Sequence, residues 1–142
     1  MTMLKAPFTE LPYEPTVDTF LAGLETEYRG QKNRDELLKL DPNSKADRIK
    51  IVKEYIIKGQ EYLTYRHKFL LIRELGNALK NNNYDFSAAF EYNYETDEPS
   101  PSPWSASEID TPRGFFEDVY SMANENWKDE IYKAAKEDPS TW

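Results

Sequence analysis

The stretch Phe86-Ser-Ala-Ala-Phe-Glu-Tyr-Asn-Tyr94, continued by Glu95, decides the fold class. Phe86, Ala88, Phe90, Tyr92 and Tyr94 alternate with Ser87, Ala89, Glu91, Asn93 and Glu95. That period of two gives a strand one apolar and one polar face. A lone strand is not stable in water, so a partner is expected. The best local one is Trp104–Ile109, reached across Asp97-Glu-Pro-Ser-Pro-Ser-Pro103, whose prolines make the connection stiff and extended. The expected unit is a small antiparallel β-hairpin over residues 86–109.

Upstream of this stretch the periodicity is helical. Ser44 is a good N-cap with Asp47 at the third helical position, and a helical pattern then runs to Lys80. At 100° per residue Ile49, Val52, Ile56, Gly59 and Leu63 share one side, whereas Ile72, Leu75 and Leu79 lie nearly opposite. A break at Gly59-Gln60 accommodates this flip, and so does one long helix packed against different elements along its length. The uninterrupted run from Leu63 to Leu75 favours the long central helix. Asn81-Asn82-Asn83 ends it.

Other helices flank these two stretches. Thr16 opens one with Asp18 in its first turn, and Val17, Phe20, Leu21, Leu24 and Tyr28 form its apolar stripe up to Gly30. A short helical turn is expected over Asp35–Leu40, closed by Asp41-Pro42. Thr111 and Pro112 start the last helix, with Pro at the position whose N–H has no partner anyway. Its stripe is Phe116, Tyr120, Ala123, Trp127, Ile131 and Ala134. The first 15 residues, with Pro7, Pro12 and Pro15, read as an extended arm pinned by Phe8, Leu11 and Tyr13, and residues 139–142 as a loose tail. The expected fold is therefore α+β: a single domain of three or four helices with one hairpin.

Composition narrows function mainly by exclusion. With 142 residues the chain is large enough for a core without staples. Its 14% aromatic content predicts an aromatic core with wet edges, since ten of the rings are tyrosines. The absence of cysteine removes disulfides, thiolate nucleophiles and cysteine-bound metals. No apolar run approaches the ~20 residues of a membrane span, and the N-terminus lacks a signal-type apolar stretch, so a cytoplasmic protein is expected. No glycine-rich phosphate loop, EF-hand spacing or nucleophile elbow is present. His67 stands alone and reads as a surface or core-edge residue. No enzyme activity and no cofactor are expected.

Charge is the informative feature. The net charge of −8 divides into −3 over residues 1–43, +5 over 44–80 and −10 over 81–142. Arg66, Arg73 and Lys80, seven residues apart, form a basic stripe on the central helix with Asn77 beside it. Such a stripe follows phosphates, with Tyr62 or Tyr65 to stack on bases, or it pairs with the acidic half of this chain or of a second copy. The acidic half offers Glu91, Glu95, Glu108, Asp118, Glu125 and Asp129 for steering, with Trp104 as an anchor and Trp142 as a further exposed ring. Acidic side chains around aromatic anchors are how small inhibitors engage cationic proteins. Glu91, Glu95 and Glu108 on one strand face would also suit Mg²⁺ or Ca²⁺, although a solvated face that blocks edge aggregation is the simpler reading.

The leading expectation is a non-enzymatic interaction protein that binds a basic protein, with inhibition of that partner as the expected consequence. In style it resembles the accessory proteins of phages and of toxin–immunity systems, with no motif that names a family. The alternatives are a nucleic-acid-binding accessory protein, a self-assembling protein and a metal-dependent enzyme.

Overall fold

The computed structural model describes residues 4–25 and 31–142, so Tyr28 and Gly30, expected to close the first helix, lie outside the described residues. Helix α1 spans Gln31–Leu38, α2 Lys45–Ile51, α3 Tyr65–Lys80, α4 Pro112–Asn126 and α5 Lys128–Ala135. Between them run tighter 3-10 segments at Val17–Leu24, Phe86–Phe90, Ala106–Glu108 and Pro139–Thr141.

No β-hairpin forms, which corrects the α+β reading: among the described residues there are helices and only two isolated bridge pairs. Phe86–Phe90 is a 3-10 turn whose N-cap, Asp85, accepts from the Ser87 N–H. Phe86, Ala89 and Phe90 are buried and Ala88 is exposed. The two phenylalanines satisfy a period of two and a helical i, i+4 spacing equally well, so the pattern did not discriminate. What discriminates is the partner. Phe86 and Phe90 pack on Phe116 of α4 at ring distances of 5.3 and 5.7 Å, an aromatic floor that a helical turn reaches. The expected second strand is instead a turn over Ala106–Glu108, closed by a capping box between Ser105 and Glu108.

The long central helix is also interrupted. From α2 the chain continues as a π-helical stretch over Val52–Ile57 and a 3-10 turn over Lys58–Gln60. It then leaves the helix until Thr64, whose side chain accepts from the His67 N–H and caps α3. The wider π turn shifts the register of the side chains that follow it. Ile51, Val52, Ile56 and Ile57 are consequently all buried, and Ile49 is left half exposed. The flip in the apolar stripe marks this interruption. Gln60, nearly fully buried, donates from Nε2 to the Thr19 carbonyl at 3.0 Å and ties the break to the first helical segment.

That first segment, Val17–Leu24, buries Val17, Phe20, Leu21 and Leu24. It crosses the 52–57 stretch so closely that a β-carbon on Gly23 would stand 2.0 Å from the Tyr55 carbonyl oxygen. Helix α3 packs against α5 and α4, and α4 against both the 52–57 stretch and the 86–90 turn. The last two helices, expected as one, bend at Trp127, whose backbone leaves helical values at φ −106° and ψ 21°. A single core cluster holds Phe20, Phe115 and Phe116 fully buried at its centre.

The two termini are tied down differently from expectation. The N-terminal arm folds back on itself, with Lys5 bridged to Pro12 and Phe8 at φ 64°. Phe8 and Leu11 do not pin it, both being exposed. Tyr13 does, edge-on to the His67 ring at 4.7 Å, and His67 Nε2 lies 2.7 Å from the Lys5 carbonyl. Because a carbonyl only accepts, His67 donates from Nε2 and its Nδ1 receives the Thr64 hydroxyl at 2.6 Å. At the other end residues 139–141 form a 3-10 turn and Trp142 is 4% exposed, so the segment expected as a loose tail is packed.

Candidate functional site

The face that combines exposed rings with unneutralised charge is an open groove of about 630 Å³. One wall is the first helical segment, giving Thr16, Asp18 and Thr19; the other is the chain from Tyr84 to Pro101. Ser100 holds the second wall in place by donating from its hydroxyl to the Ala89 carbonyl at 2.7 Å. At the rim a tight loop is closed by the reciprocal backbone bonds of Asn93 and Glu98, at 2.8 and 3.1 Å. The Asn93 side chain accepts from the Glu95 and Thr96 N–H groups, an Asx turn that fixes the loop. The Tyr92 hydroxyl donates to Asp97, a bond that raises the phenol's pKa.

Three tyrosines and four carboxylates face this groove: Tyr84, Tyr92 and Tyr94 with Asp18, Glu91, Glu95 and Glu98. Among the described residues no Lys, Arg or His lines it. Tyr94 is 88% exposed and meets Tyr92 edge-on at 4.9 Å. Burial holds the Tyr84 hydroxyl above its ordinary pKa, reinforced by the charges of Asp18, Glu74 and Asp85. The groove is thus anionic as well as aromatic. No family model, curated protein or solved structure matches this chain. Its function has to be argued from these side chains.

Only part of the predicted acidic face converges here. Glu91 and Glu95 line the groove, Glu91 also accepting from the Ala106 N–H at 3.2 Å. Glu108 lies outside the lining and accepts from Ser105 N–H at 3.0 Å. Asp118 pairs with Arg48 at 3.5 Å. Glu125 borders a separate shallow depression with Ile49 and Met122, and Asp129 sits exposed in the first turn of α5. Trp104, expected as an exposed anchor, is 7% exposed and belongs to the core. Among the described residues no three His, Asp or Glu side chains are arranged to hold a metal ion.

Sequence reasoning missed Asp18, Tyr84, Tyr92, Tyr94 and Glu98. By sequence Asp18 is only a helix-dipole carboxylate, and the strand pattern turns Tyr92 and Tyr94 to its buried side. The usable signal was density: five tyrosines or phenylalanines and five carboxylates from Tyr84 to Glu98 fall beside prolines, a composition more suited to a surface than to a core.

Within the basic stripe Arg66 is committed inside the molecule, whereas Arg73 and Lys80 stay exposed. Arg66 pairs with Glu137 at 2.9 Å and lies over the rings of Trp142 and Tyr65. Glu137 also accepts from the Tyr65 hydroxyl at 2.6 Å and the Trp142 indole at 3.0 Å. Arg73 lies over Phe69, and Arg73 and Lys80 are exposed. The bond from Tyr65, then that from Arg66, holds the Glu137 carboxyl below its usual range. A depressed carboxylate stabilises the fold above its unfolded pKa and stops doing so as pH falls through the folded value. Acidification below about pH 4 is therefore expected to release the C-terminal turn. The Trp142 indole N–H resonance should shift across this range, and Glu137→Gln should remove that transition. A resonance that stays still on acidification until the whole chain unfolds rules out this linkage.

Proposed function

We propose that the protein is an interaction module that binds a basic protein partner in the groove formed by Tyr84–Pro101 and Thr16–Thr19. The observation that supports this reading is the lining itself: three tyrosines and four carboxylates with no cation among them. Tyrosine offers large contact area at low conformational cost, and exposed rings of this kind are enriched at interfaces. The carboxylates steer a cationic partner and disfavour nucleic acid. Trp104 has no part in it; Tyr94 takes the anchoring role.

Affinity capture from the native cell, followed by salt titration, tests the reading. The wild-type chain is expected to retain a basic protein that elutes with rising salt. A variant carrying Glu95→Lys and Glu98→Lys is expected to retain about 10- to 100-fold less, a loss of about 1.4–2.7 kcal/mol from like charges facing each other. Both side chains are exposed, so the variant's melting temperature should match the wild type within about 2 °C. Equal capture by the two chains would overturn the proposal. So would capture that salt leaves unchanged.

A further inference from the structure

Three cations of this molecule settle where a ring and a carboxylate converge. Arg66 lies 5.5 Å from the Trp142 ring centre and 2.9 Å from Glu137. Lys68 lies 5.3 Å from the Trp127 ring and 2.7 Å from Glu130. Arg48 lies 5.3 Å from the Phe115 ring and 3.5 Å from Asp118. The groove brings Tyr92 and Tyr94 into one lining with Glu91, Glu95 and Glu98, and among the described residues that lining holds no cation.

We infer, resting on the reading that the groove binds a basic partner, that its occupant is an extended segment whose contacting residues are arginines rather than lysines. The choice follows from the pairing of ring and carboxylate in one lining. A guanidinium is weakly hydrated, lies flat on an aromatic face and forks to a carboxylate through two parallel N–H groups. The wall of the groove favours side-chain over main-chain recognition. Pro99 and Pro101 carry no N–H, so these two positions of the wall cannot donate to an added strand.

Capped hexa-arginine and hexa-lysine peptides, titrated calorimetrically into the full chain at low salt, test this. Hexa-arginine is expected to bind about fivefold more tightly than hexa-lysine. Tyr94→Ala, at an exposed position that does not put folding at risk, should bring the ratio close to one. Glu95→Gln with Glu98→Gln should weaken both peptides together. Equal affinity of the wild type for the two peptides would overturn the arginine inference while leaving the basic-partner reading in place. An arginine preference undiminished in Tyr94→Ala would also overturn it, by locating the selectivity elsewhere. Failure of both peptides to bind would overturn the inference and the basic-partner reading together.

Discussion

Gly23→Ala is expected to lower the unfolding free energy by about 3 kcal/mol, the upper part of the range for an overpacked core position. The added β-carbon would lie 2.0 Å from the Tyr55 carbonyl oxygen, 2.8 Å from its carbon and 3.2 Å from the Ile56 Cα. All three are backbone atoms of the 52–57 stretch, so no side chain can swing aside to make room. Val17–Leu24 must lift away, and Phe20, Leu21 and Leu24, all fully buried, must move with it. Two controls separate this clash from the general effect of alanine in a helix. Ala22→Ser, at an exposed neighbour, should change stability by no more than about 0.5 kcal/mol. Gly76→Ala would place its β-carbon 3.1 Å from the Tyr120 hydroxyl. That ring can shift, and alanine gains about 1 kcal/mol over glycine inside a helix, so the net effect should be small. Urea unfolding of the three variants measures all of this. A Gly23→Ala protein as stable as the wild type would mean the two segments do not approach so closely.

Lys68→Ala is expected to cost about 2–3 kcal/mol, and Lys68→Met about 1 kcal/mol. The Lys68 side chain is only 3% exposed, packed over Trp127 and paired with Glu130 at 2.7 Å and Glu61 at 3.5 Å. A fully buried pair broken on one side loses about 3–5 kcal/mol. Here the partners are 43% and 47% exposed, so water takes back much of their charge and the loss is smaller. Glu61 also keeps two donors, the Trp127 indole and the Asn126 amide, each at 3.1 Å. Most of the lysine's contribution therefore comes from its buried stem, which methionine restores and alanine does not. Thermal melts should place Met between Ala and the wild type. Equal losses for Met and Ala would assign the stabilisation to the charge instead.

The helices were legible where a cap and a stripe coincide. Pro112 at the first turn of α4, with Phe116 and Ala123 on its buried face, is found as read. The stripe of Val17, Phe20, Leu21 and Leu24 is likewise buried, although the segment winds as a 3-10 helix. The flip of the apolar face between Ile56 and Ile72 was visible in the pattern. Gly59-Gln60 offered a place for the break, which falls just beyond it and before Thr64, but the uninterrupted run from Leu63 favoured a continuous helix; the π-helical stretch itself leaves no mark in the sequence. The hairpin failed because the spacing of Phe86 and Phe90 serves a strand and a helical turn alike, and only the facing Phe116 settles which forms.

The division of charge was legible as a total but not as a surface. Arg66 and Glu137 neutralise one another, as do Arg48 and Asp118, across separations of 71 and 70 in sequence that no local pattern reports. Trp104 and Trp142 looked exposed because their neighbours are polar. Both are buried, Trp142 by Phe69 and the Arg66 guanidinium. The tyrosines of the groove were hidden by the strand reading, which turned Tyr92 and Tyr94 inward.

The groove as the binding face is tested most directly by hydrogen exchange on the complex with the captured partner. Slowed exchange is expected in the amides of residues 84–101 and in the first turn of Val17–Leu24, with residues 66–80 and 112–126 unchanged. Protection centred on the Arg73 and Lys80 face of α3, with none at 84–101, would contradict it.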